Sequence, residues 1–119
     1  MKKIEANGTP AFQGDVLFRS VAALPLGAVE QTVPPTGAVI AHSETGHHHV
    51  ATGTDFSWFA VPDDVMHAYL VARAPVTITH QRPTDTHEAF ELGVGGQEVI
   101  WEIGRQREYI PEGWRQVVD

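Results

Sequence analysis

The densest chemistry in the chain is His42-Ser43-Glu44-Thr45-Gly46-His47-His48-His49, which holds four of the seven histidines among 119 residues. On an extended segment side chains alternate faces, so His47 and His49 share one face and His48 takes the other. Two imidazoles on one face can meet a single cation at about 2 Å from each nitrogen. The turn chemistry of Glu44-Thr45-Gly46 lets His42 return as a cross-strand neighbour of that pair. A further ligand must come from elsewhere in the chain, and two are candidates. His80 ends the run Val76, Ile78, His80, whose face is otherwise apolar and therefore points inward. His87 follows seven residues later, across a loop long enough to return it beside His80. His42, His47, His49, His80 and His87 together form an imidazole-rich set that suits a divalent transition metal: Zn, Ni, Fe or Cu.

Glu44 and Glu88 flank these histidines and suit a carboxylate ligand, a general base, or an acceptor for an imidazole N–H. In a metal-dependent enzyme they would handle protons while the ion acts as a Lewis acid or activates water or dioxygen. Four imidazoles with no open coordination position would instead mark a structural or storage site. The competing reading makes the histidines incidental, solvated loop residues of a non-enzymatic binding or assembly module.

A second constellation is Arg105, Arg107 and Tyr109, which alternation places on one face of a strand. Paired guanidinium forks bind carboxylate or phosphate, so this face suits an anionic small-molecule ligand. The alternative is charge pairing with Glu98, Glu102 or Glu112. Gly93-Val94-Gly95-Gly96 lacks the Lys-Ser or Lys-Thr of a phosphate loop and reads as a hairpin turn. Ser43 lacks a nucleophile elbow. Trp58, Trp101 and Trp114 read as core or barrel-lid residues, and His67, beside Asp63-Asp64, as a surface residue.

The scaffold that must position these groups is small. Length corresponds to one domain, with 42% hydrophobic and 19% charged residues, enough for one core. Fifteen acidic against eight basic side chains give −7, which argues against a general nucleic-acid binder. The absence of cysteine removes disulfides, thiolate zinc sites and a cysteine nucleophile together. No apolar run is long enough to cross a bilayer, and Met1-Lys2-Lys3-Ile4-Glu5 lacks the apolar stretch of a signal peptide, so a cytoplasmic location is expected.

Eight prolines and eleven glycines spread along the chain cut it into short pieces, the pattern of an all-β domain. Residues 1–13 read as a ragged start that packs little, and residues 14–119 as one domain. Strands are expected at 15–21, 28–33, 37–42, 47–51, 57–61 and 76–80, with a further long one at 98–107 in which Gly104 marks a bulge. Residues 66–73 are Ala-rich and fit a helix or a strand, with Tyr69-Leu70-Val71 favouring the strand. About eight short strands imply a small single-domain barrel or β-sandwich, and a symmetric homodimer would cover its exposed edges.

Gly14-Asp15-Val16-Leu17-Phe18-Arg19, Glu44-Thr45-Gly46-His47-His48-His49 and Arg107-Glu108-Tyr109-Ile110-Pro111-Glu112-Gly113-Trp114 together resemble an uncharacterised family of small phage and prophage proteins. Thr79-His80 and Thr86-His87-Glu88 match its middle portion. This resemblance implies a viral or prophage origin and a bacterial host, and brings no activity. His47 and His49, with His80 or His87, are also similar to the cupin HxH pair and its later histidine, which hold a divalent metal inside a β-barrel. The cupin likeness is one of geometry only, since Gly46 directly precedes the pair and residues 50–54 contain no glutamate. The Gly14-Asp15 opening is similar to that of co-chaperonin barrels, a start too common to carry function.

Overall fold

The computed structural model describes residues 1–41, 48–80, 89–105, 107–110 and 113–116; for residue 65 and the last two stretches only the backbone is described. Among the described residues there are thirteen strands and no helix: β1 Lys2–Ile4, β2 Ala11–Gln13, β3 Val16–Val21, β4 Val29–Gln31, β5 Ala38–Ala41, β6 His49–Gly53, β7 Phe56–Val61, β8 Asp64–Ala72, β9 Val76–His80, β10 Phe90–Leu92, β11 Val99–Arg105, β12 Arg107–Ile110 and β13 Gly113–Gln116. Eleven of them form two sheets, ordered β1-β10-β9-β6-β5 and β2-β3-β11-β8-β7-β4, while β12 and β13 pair with each other. Of the two architectures expected, the chain builds the sandwich and not a closed barrel.

The core lies between the sheets because each contributes one apolar face. Val76 and Ile78 of β9 meet Val16, Phe18, Leu70, Trp101 and Ile103 from the six-stranded sheet, all but Ile103 fully buried. Phe18 and Phe90 join the sheets edge to face, with ring centroids 5.9 Å apart. Alternation is clear along β8, where Ala68, Leu70 and Ala72 belong to the core. Tyr69, between them, turns outward, and its hydroxyl donates to Glu102 Oε2 at 3.1 Å. Arg19 donates to the other oxygen of Glu102 at 2.6 Å. Burial in the first place, and the Glu102 hydrogen bond in the second, push the Tyr69 phenol above its ordinary pKa of 10.0.

Several expectations are corrected. Thirteen strands replace about eight because β1, β2 and β10 are three residues each, too short to show a period of two, and β12 and β13 form a pair of their own. Within residues 1–13, β1 pairs in parallel with β10 and buries Ile4, and β2 pairs with β3 and buries Gln13, while residues 5–10 are exposed. Gly104 lies in unbroken register between Leu17 and His67, and the irregularities fall at Val39/Ala41 and Ala60/Val61 instead. The segment 98–107 is not one strand, since β11 ends at Arg105 and β12 belongs to a different pairing. The strand favoured for residues 66–73 is present, since they lie in or directly after β8.

Candidate functional site

One end of the sandwich is organised by a two-residue turn. Gln13 and Val16 are cross-strand partners, so Gly14 and Asp15 alone connect β2 to β3. Gly14 has φ +60°, the left-handed conformation that hairpin turns with glycine at the first central position require. The turn is not displayed to solvent: Asp15 and Gln13 are each 2% exposed. Burying a carboxylate and an amide side chain is costly unless both are met by polar groups.

The polar groups they meet come from the facing sheet. His49 opens β6 and His80 closes β9, and the two are cross-strand partners. Both side chains are fully buried. Their rings are stacked, with centroids 4.0 Å apart and planes inclined by 13°. His80 occupies the same inward row as Val76 and Ile78. A chain of hydrogen bonds ties this pair to the β2–β3 hairpin. Gln13 Nε2 donates to the carbonyl of Ile78 at 3.1 Å, and Gln13 Oε1 lies 2.8 Å from His49 Nδ1.

These two contacts fix the protonation of a ring nitrogen. A carbonyl oxygen can only accept, so the amide NH2 of Gln13 must face Ile78. Its oxygen therefore faces His49, and Nδ1 must carry the hydrogen it donates. In the neutral ring the lone pair then lies on Nε2. That nitrogen faces Asp15 Oδ1 across 3.8 Å. A second proton on Nε2 would make the ring an imidazolium facing that carboxylate, and a cation bound there would meet the same negative charge.

The other residues singled out in the sequence fall as follows. His42, Glu44, His47, His87 and Glu88 lie outside the described residues. The chain enters the segment 42–47 from Ala41, the cross-strand partner of His49, and leaves His80 directly into 81–88. Ala41 and His80, which border the two segments, thus both lie at the imidazole end. His48 is half-buried just before β6. His67 lies on the outer face, where its Nδ1 is 2.9 Å from Asp64 Oδ2. Arg105 ends β11 and Arg107 begins β12, so the single strand expected to align them is divided. Among the described residues, no group of three or more His, Asp or Glu side chains is placed to hold a metal ion.

Gln13 and Asp15 are the members of this cluster that sequence reasoning missed. Their signal was present, since a glycine-bearing turn between two strands fixes cross-strand partners. What the sequence lacked was any sign that the turn packs against the opposite sheet.

A family model described as Domain of unknown function (DUF8820) matches residues 12–106, a span that contains Gln13, Asp15, His49, His80 and Arg105. Neither the curated proteins nor the solved structures provide a match.

Proposed function

We propose, for a chain that belongs to this domain family, that the buried end of the sandwich binds a divalent transition metal through His49 and His80. The observation that carries this reading is the cross-strand imidazole pair whose Nδ1 on His49 is held by Gln13. An imidazole that binds metal through one nitrogen commonly donates from the other to a protein acceptor, which sets the tautomer and the ring orientation. Gln13 is that acceptor here, and Asp15 supplies the negative charge beside Nε2. Zn, Ni, Fe and Cu all accept such donors.

Two imidazoles do not complete a coordination sphere. The remaining ligands come, on this reading, from the two segments that follow Ala41 and His80, which carry His42, His47 and His87. His47 and His49 then form the cupin-like HxH pair, and Glu44 or Glu88 serves as proton carrier if the centre is catalytic. The setting proposed with it is a phage or prophage protein in the cytoplasm of a bacterial host, acting on a small molecule and able to form a homodimer.

The test is elemental analysis of tag-free protein, combined with melting curves in chelator and in added Zn2+. Near-stoichiometric metal, lost in His49→Ala and His80→Ala and kept in His48→Ala, is the expected result. Because His49 and His80 are buried, His47→Ala and His87→Ala test the same reading at two of the other proposed ligands. Metal-free protein whose melting is indifferent to both chelator and Zn2+ would leave the rival reading, a binding or assembly module with a structural histidine pair.

A further inference from the structure

The strand β11 carries one more polar group toward the imidazole end. Val99, Trp101 and Ile103 are buried on its inward face, and Arg105 is the next residue in that alternation. Its cross-strand partner is Val16, whose own partner on the other side is Gln13. Gln13, Val16 and Arg105 therefore form one row across the six-stranded sheet, opposite the row Ala41, His49, His80 of the five-stranded sheet. The first member of this row bonds His49, and the last carries a guanidinium.

That guanidinium is treated differently from the others. Arg19 pairs with Glu102, and Arg73 pairs with Asp55 and Glu98, all at the surface. Arg105 Nη2 is closed to solvent and makes no hydrogen bond among the described residues. Arg105 as a whole is half-buried, and a guanidinium cannot shed its proton, so the enclosed Nη2 favours an anion as its acceptor.

We infer that Arg105 is the anion-recognition residue of this end of the molecule and takes a small oxyanion, a carboxylate or a phosphate, as its ligand. The inference rests on the metal reading for the use of this end: a ligand held at Arg105 would share it with the cation that His49 and His80 bind. The planar fork of the guanidinium matches two oxygens of either anion, and a lysine ammonium does not.

The test titrates tag-free full-length protein with acetate and, separately, with inorganic phosphate, against chloride at matched ionic strength. Amide NMR shifts and the melting temperature are followed, and metal content is measured on the same samples. Saturable binding of one anion, abolished in Arg105→Gln and unchanged in Arg19→Gln, is expected, and the anion that saturates identifies the ligand class. Arg105→Lys keeps the charge and the stem, so it folds even if Arg105→Gln does not, and its affinity should fall roughly tenfold or more. Wild-type affinity in Arg105→Lys or Arg105→Gln, or no saturation by either anion in the wild type, overturns the inference. Anion binding that needs Arg105 in a protein free of metal upholds the inference and overturns the metal reading alone.

Discussion

The two ends of the sandwich are built on opposite terms. At one end, where β10 and β11 have Leu92 and Val99, an open cleft of about 790 Å3 is lined by residues such as Ile4, Ser20, Glu91, Val94 and Glu98. At the other end, where β9 and β11 finish at His80 and Arg105, the polar groups are sealed between the sheets. The cleft has volume, but its charged side chains are half-buried or exposed. The sealed end has two imidazoles, a carboxylate and an amide held within a few ångströms of one another. Polar groups are removed from water only at a cost, so organised burial is the stronger sign of a specific chemical task. Cavity size and organised burial point to opposite ends.

The same residue type breaks this comparison most directly. Gln13 makes two buried hydrogen bonds across the sheets, whereas Gln97 is exposed at the rim of the cleft. Gln13→Ala removes a partner from both His49 and the Ile78 carbonyl and should cost about 2–6 kcal/mol in total, at about 1–3 kcal/mol for each deserted polar group. Gln97→Ala should change stability by no more than about 0.5 kcal/mol. Urea unfolding with a common slope measures both. Equal effects would show that the sealed end is no more specified than the open one.

Metal linkage is the next largest effect. If the sealed end binds Zn2+, a free concentration one hundred times the dissociation constant should stabilise the chain by about 2.7 kcal/mol. Glu98→Gln, at the cleft, should leave that increment intact, while Asp15→Asn should reduce it by removing the negative charge beside His49 Nε2. Melting curves across a Zn2+ series distinguish the two variants. A loss confined to Glu98→Gln would move the cation to the other end.

How much of this could be read in the sequence depended on how local each feature is. The inward row Val76, Ile78, His80 was legible because alternation needs no partner strand. The all-β class was legible because prolines and glycines punctuate the chain at short intervals. The parallel pairing of β1 with β10 was not, since it joins Lys2 to Phe90 across most of the chain. Sandwich against barrel turns on the same kind of long-range pairing. Gly104 was read as a bulge from residue type alone, yet the strand runs straight past it, and a notional Cβ there would lie 3.4 Å from the His67 ring, an ordinary contact. The partnership of Gln13 with His49 depends on which turn meets which sheet, and no spacing in the sequence encodes that.

The smallest effect separates the outer face from both ends. Tyr69 is held above its ordinary pKa by burial and by its hydrogen bond to Glu102, on the face of β8 that points away from the core. The folded chain therefore keeps the phenolic proton at a pH where the unfolded chain has lost it. Where the native state binds more protons than the unfolded one, stability falls as pH rises. The contribution is complete below the unfolded pKa of 10.0 and disappears as pH climbs through the higher folded value. Tyr69→Phe should flatten the alkaline side of the stability profile, measured as unfolding midpoints on either side of that pH. Gln13→Ala should leave the slope of that limb unchanged while lowering the whole curve, because Gln13 belongs to the sealed end and Tyr69 to the opposite face of the sheet. A change of slope in Gln13→Ala would mean that the two faces titrate as one network, and the division between a chemical interior and a merely supportive exterior would have to be redrawn.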